Sequence, residues 1–531
     1  MNKAQKPMAL MLFATAVAIA GGAAAQTARD AGDVTASKDK TQAPAAKNLL
    51  DRAWLRDLIG QPRSMVPSTS GSSGGIVTES ISEMPLSGSG SAGVGILTPE
   101  QAGLPDTIWA GADAAELARH IAPFRPTGLP EVTALWHRMA LLAAPSPEDA
   151  GDVLLAARVD HLVRAGALDQ AEALLEAAPI RTAALFRRAF DVGLLTGRAE
   201  SACDAMRAKP RLAPGLKARI FCLARAGDWG AAAITLTSAE TLGQITPEDA
   251  ALLGRFLDPE LFEDDPAPPP ARPMPAIDHV MREALALPRG AGALPLAFLH
   301  PDLDITAPWR NRVVATERLV RSRAVPPARL IQLYQDGTPA ASGGVWVRVA
   351  AVQRLLGAIR LGDAIEMSDA LVAADQALGA AGLRFALGDL AAGPLRDTEL
   401  LPAAARVRFE LWLLHPSYAD LVWDHTPVDD WEATLQAVAV GRAEDLSPQD
   451  DLTAAVRAGL TRSDLRDAIL FELDRGRPGI AILKALDRLV DARHRDPVAV
   501  EVTLAVLRRA GAKDEARRIA LEVMILAGGR R

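Results

Sequence analysis

From Trp109 onward, hydrophobic residues recur every three or four positions along most of the chain, the spacing that gathers them on one face of an α-helix. Amphipathic runs at 113–121 and 131–143, each bounded by proline, lead into a series predicting helices near 150–165, 168–178, 181–196, 198–208, 214–226, 228–241 and 247–256. The turns between them share a phrase. Gly166, Gly197 and Gly227 stand 31 and 30 residues apart; five residues after each comes an alanine (Ala171, Ala202, Ala232) and nine after comes Leu175, Met206 or Leu236. The small residue lets two helices approach and the bulky one fills the space between them. Pro179 and Pro210, also 31 apart, stop the second helix of successive units because proline cannot continue the hydrogen-bond ladder. A period in this range predicts stacked helical hairpins that bury their apolar faces against one another.

The pattern breaks twice. Residues 26–107 are poor in bulky apolar groups and rich in Ser, Gly, Thr and Ala, which predicts a mostly disordered linker. One island near 47–60 has helical spacing, with Leu50, Trp54, Leu55 and Leu58 on one side. It reads either as a helix folded back on the main body or as a tethered helix that docks into a partner. The second break, 259–275, carries so many prolines that an extended spacer is expected. These breaks divide the chain into a helical-repeat domain at 108–258 and a second helical domain at 276–531. In the latter, Gly362 and Gly511 mark similar turns, and Gly511 keeps the leucine four before (Leu507) and the alanine five after (Ala516). The segment Val345–Val349 has β-propensity, but Ser342 can cap a helix running through Leu356, which fits its surroundings better. The last helix is expected to run to about Leu526.

Residues 1–25 read as a secretory signal: Lys3 and Lys6, an apolar run from Met8 to Ala20, then Ala23–Ala25 before the expected cleavage at Gln26. That run, about 13 residues, falls short of the roughly 20 needed to span a bilayer. The residue directly after the cleavage site is Gln26 and not a lipid-accepting cysteine, and no later stretch resembles a span, so the expectation is an exported, periplasmic protein with no membrane span after cleavage. The formal charge of −7 becomes −9 once Lys3 and Lys6 leave, and no Lys/Arg block exists, which argues against nucleic acid. The two cysteines, Cys203 and Cys222, sit on consecutive predicted helices, equidistant from a turn at 209–213. Geometry and an oxidising compartment together predict a disulfide between them.

Chemistry is sparse. The eight histidines show no metal-ligand spacing, and His-Glu-x-x-His and phosphate-loop motifs are missing. Glu79-Ser80 lies in the Ser/Gly-rich linker, where a general acid could not be held. His415, Asp420, Asp424 and His425, followed by Asp429 and Asp430, concentrate oxygen and imidazole ligands that suit a divalent cation, or else form a polar interhelical loop with Asp as cap. His300, Asp302 and Asp304 form a smaller group. No catalytic residue and no cofactor is assigned.

The units from 159 to 240, and again at 498–527, resemble tetratricopeptide-type helical repeats, slightly shorter than usual and lacking most of that family's aromatic positions. The chain as a whole is similar to secreted helical-repeat proteins of alphaproteobacteria, a likeness that implies no activity. The repeat resemblance implies an all-α solenoid in two segments that binds a protein or peptide on a concave surface. The expected function is therefore a non-catalytic scaffold or adaptor for another envelope protein or peptide, with Trp136, Trp229, Trp346, Trp412 and Trp423 as possible anchors. The alternative is a cell-wall or glycan enzyme using the repeats as a substrate clamp; it requires paired carboxylates, for which Asp420/Asp424 and Asp302/Asp304 are the candidates.

Overall fold

The computed structural model describes Trp54, Leu58 and residues 93–147, 150–180, 182–289 and 292–527. The expected signal at 1–25 and Glu79-Ser80 lie outside these residues, as does the linker up to residue 92 apart from Trp54 and Leu58. Among the described residues the fold is all-α, with a single β-bridge between Leu97 and Leu142 and no strand. Helices of eight residues or more follow in this order: α1 (Ala114–Ile121), α2 (Pro130–Leu141), α3 (Val153–Arg164), α4 (Leu168–Ala177), α5 (Ala183–Leu195), α6 (Glu200–Ala208), α7 (Leu216–Arg225), α8 (Trp229–Thr241), α9 (Pro247–Leu257), α10 (Ala276–Ala284) and α11 (Trp309–Arg321). The rest are α12 (Val345–Leu361), α13 (Ala364–Gly379), α14 (Pro402–Leu413), α15 (Asp430–Ala439), α16 (Asp451–Thr461), α17 (Pro478–Asp491), α18 (Pro497–Arg509) and α19 (Lys513–Glu522).

The repeated phrase has a direct structural meaning. Gly166, Gly197, Gly227 and Gly511 all take left-handed backbone, with φ of 75°, 71°, 81° and 93°, which ends one helix and turns the chain into the next. At Gly166 a side chain is excluded twice over, since a Cβ would also lie 2.6 Å from Leu319 Cδ2. The alanines five residues on are buried (Ala171, Ala202, Ala232, Ala516), and so are Leu175, Met206 and Leu236. Short polar side chains cap the helix starts: Asp113 on α1, Thr182 on α5, Asp228 on α8 and Thr246 on α9 each accept from a backbone N–H three residues on. One expected cap is corrected. Ser342 does not start α12; the chain turns through Gly343 and Gly344, with φ of 77° and 66°, and the helix opens at Val345 with no side-chain cap.

Helices adjacent in sequence pack from α3 to α9, but the packing does not stop at neighbours. α19 lies against α2, and α17 lies against α1. Across that second contact His120 meets Asp487 at 3.0 Å, Arg125 meets Asp491 at 2.6 Å, and Arg477 pairs with Glu116. All described residues belong to one compact unit. Within it, the proline-rich run at 259–275 joins α9 to α10. Lys217 of α7 pairs with Asp278 of α10 at 2.7 Å, and Arg282 donates to the Pro268 carbonyl at 2.9 Å. No helix among the described residues is long and apolar enough to cross a membrane.

Candidate functional site, an apolar groove with an acidic rim

Between residues 108 and 258 most of the exposed large apolar side chains lie on α8 or just after it. α8 reads Trp-Gly-Ala-Ala-Ala-Ile-Thr-Leu-Thr-Ser-Ala-Glu-Thr, with a single charge at Glu240. Its inner face is satisfied: Ala232, Leu236 and Ala239 are buried. Its outer face is not. Trp229 is 50% exposed and Ile234 70% exposed, followed by Leu242 at 68%. α9 is held beside it by Thr246, whose hydroxyl accepts from Asp249 N at 3.2 Å, and by Phe256, which stacks on Phe221 of α7 at 5.5 Å.

Between α8 and α9, and closed at one end by the turn after α9, lies a groove of about 670 Å³. Ala233, Leu236, Ile245, Leu257, Leu261 and Phe262 supply its apolar walls. Phe262 folds over Gly254, where a Cβ would sit 3.0 Å from the ring. Leu261, at the mouth, is 72% exposed. Contiguous exposed apolar surface rimmed by polar groups is the signature of an interaction site rather than of ordinary surface scatter. The rim is acidic. Glu240 and Asp258 line it, and Glu260, Glu263, Asp264 and Asp265 follow on the exposed turn.

The sulfurs of Cys203 on α6 and Cys222 on α7 stand 1.99 Å apart, with Cα atoms 5.3 Å apart, so the expected pairing is formed one hairpin before the groove. It closes a loop of sequence separation 19, which is worth about 3 kcal/mol through restriction of the unfolded chain. The Cys203→Ser/Cys222→Ser variant is expected to lose about that much in urea unfolding. Thiol titration of the denatured, non-reduced protein is expected to find no free sulfhydryl.

The polar candidates do not converge. His415 Nε2 lies 3.2 Å from Asp389, and His415 Nδ1 accepts from Ser417 N. His425 instead reaches Glu432 at 2.8 Å and stacks on Phe409 at 4.3 Å. Asp420 and Asp424 are exposed, and Asp429 caps α15 through Glu432 N. Among the described residues no group of three His, Cys, Asp or Glu side chains is arranged to hold a metal ion. The second group is divided likewise: His300 meets the Gly166 carbonyl at 2.6 Å, Asp302 is held by Arg289 at 2.8 Å, and Asp304 binds Thr306. Trp54 and Leu58 are buried in the body, as the folded-back helix requires; Leu50 and Leu55 lie outside the described residues. Of the tryptophans, Trp136, Trp346 and Trp412 are buried, while Trp229 and Trp423 are exposed.

Sequence reasoning missed a buried ionic cluster where α19 meets α2. Arg138 bridges Glu131 at 2.6 Å and Glu515 at 3.5 Å, while Glu522 accepts from Glu131 N with both oxygens at 2.9 Å. Burial pushes the Glu515 carboxyl up to about 7, against the pull of Arg138. Burial, with Glu131 adding to it, raises Glu522 well above the usual range. The adjoining cavity, lined by Glu131, Arg323, Arg518 and Glu522, holds about 60 Å³, room for a few waters and little else. The one available signal was Glu131 and Arg138 seven apart on a helix whose remaining residues are mostly apolar, which places both charges on one face.

Comparison of the chain with family models, with curated proteins and with solved structures gives no match.

Proposed function

We propose that this protein is a non-catalytic adaptor of the cell envelope that holds a protein or peptide partner in the groove between α8 and α9. The observation that carries the reading is the open apolar groove itself, with Leu261 72% exposed at its mouth and Ile234 70% exposed on the adjoining face of α8, a helix holding one charge. Such a face is unfavourable in water unless a partner covers it. The secretory character of residues 1–25 supports the envelope setting, and the disulfide suits an oxidising compartment. The carboxylate pairs an envelope enzyme would need serve other ends: Asp420 and Asp424 face solvent, Asp302 is clamped by Arg289, and Asp304 closes a turn.

A photo-activatable residue placed at Leu261 of the tagged full-length protein is expected to crosslink a defined partner in cells. The same residue at Leu361, 83% exposed on α12, is expected to give none. Equal or absent crosslinking from both positions overturns the reading.

A further inference from the structure

Charge around the groove is strongly one-sided. Between Ala226 and Ala271 the chain carries nine carboxylates (Asp228, Glu240, Glu248, Asp249, Asp258, Glu260, Glu263, Asp264, Asp265) and one cation, Arg255. That local excess exceeds the whole chain's formal charge of −7. Three of these groups have partners nearby: Asp249 pairs with Lys217, Asp228 caps α8, and Asp258 accepts from Leu261 N. Arg255 is turned onto the carbonyls of Asp265 and Pro266, so its hydrogen bonds go to backbone and not to the rim carboxylates. Glu240, Glu260, Glu263, Asp264 and Asp265 are exposed and form no ion pair among the described residues.

Resting on the groove reading above, we infer that the partner is a basic amphipathic helix, its apolar face against Ile245, Leu257 and Leu261 and its Lys/Arg face against the acidic rim. An apolar channel between two helices matches the helix-in-groove mode, in which anchors three and four residues apart enter the channel. Unpaired rim carboxylates select the sign of the flanking charges, speeding encounter and rejecting acidic partners. A second copy docked through the same face sets the two acidic rims against each other, which disfavours self-pairing.

The inference is tested on the full-length protein with three synthetic 16-residue helical peptides sharing one leucine face, with Lys, Gln or Glu on the other. Titration calorimetry at about 50 mM salt is expected to show the Lys peptide binding at least about tenfold tighter than the Gln peptide, and the Glu peptide not binding. The advantage is expected to vanish near 0.5 M salt, where the screening length drops to a few ångströms. Glu263→Lys/Asp264→Lys/Asp265→Lys, on an exposed turn, is expected to abolish the preference while keeping affinity for the Gln peptide. Equal binding of Lys and Gln peptides at low salt overturns the partner class and leaves the groove reading standing. Lys-peptide binding that survives Leu257→Gln/Leu261→Gln overturns it as well, because attraction is then by charge alone. If no peptide binds, both readings fail. Self-association of the protein that the lysine triple variant abolishes assigns the face to a second copy and contradicts the inference.

Discussion

Arg158→Leu is expected to destabilise the protein by about 3–5 kcal/mol, measured as a drop in urea midpoint with unchanged slope. Arg158 is fully buried on α3. Its guanidinium donates to three backbone carbonyls: Ala140 at 2.7 Å, Leu142 at 2.8 Å and Val94 at 2.6 Å. The first two end α2, and the third belongs to the entering segment that forms the Leu97–Leu142 bridge. Leucine leaves these carbonyls without that donor, each costing about 1–3 kcal/mol if no water enters. Removing the buried charge recovers part of this, since burial already weakens the guanidinium's hold on its proton, lowering it to about 9. Arg158→Lys is expected to fare little better, because one ammonium cannot span the fork. A loss below about 1 kcal/mol would show that the three bonds do not hold the segment.

The second large effect lies in acid. His137 on α2 and His161 on α3 are fully buried, with His137 Nδ1 3.2 Å from His161 Nε2. Their outer nitrogens face the Ser322 and Pro123 carbonyls. Two neutral rings bring two N–H groups to three contacts, so an added proton would complete the chain. Burial opposes it, and the charges acting on the pair are cations: Arg138 and Arg323 beside His137, Arg164 beside His161. His137 is thereby held down to about 3 and His161 to about 4. Unfolded imidazoles protonate near 6.5, so the unfolded state binds more protons and stability falls as pH drops below about 6.5. At about 1.4 kcal/mol per pH unit per ring, the pair loses roughly 4 kcal/mol by pH 5. Glu515 and Glu522 act with opposite sign: their raised carboxyls keep protons that the unfolded chain releases, so their contribution is lost as pH rises. Comparison with His137→Gln/His161→Gln cancels that term. The variant is expected to be less stable at pH 7.5, with its deficit shrinking by about 4 kcal/mol at pH 5.0. Parallel pH profiles would contradict the assignment.

Helix positions were legible because local signals agreed with one another. The glycine phrase and the prolines after Ala177 and Ala208 act within a few residues, so the sequence exposes them directly. The cysteine pairing was legible for the same reason, being a relation across one hairpin. What escaped were relations between distant parts of the chain. Nothing near Glu131 announces that Glu522 will cap its helix, and nothing near His161 announces His137. The acidic and histidine run at 415–430 looked like one cluster because its members are close in sequence. Helical turns aim His415 at Asp389 and His425 at Glu432 instead. The groove lay between these cases: the lack of charge along 229–239 is visible in the sequence, whereas the exposure of Ile234 follows from which side of α8 meets α7 and α9.

The claim that the α8–α9 groove is the protein's binding surface is tested most directly by Ala251→Glu. Ala251 lines the groove and is exposed, so the substitution is expected to leave thermal unfolding unchanged within about 0.5 kcal/mol. Recovery of the partner crosslinked at Leu261 is expected to fall tenfold or more when a charge is placed in the apolar channel. Undiminished recovery from a fully folded Ala251→Glu protein would contradict the account.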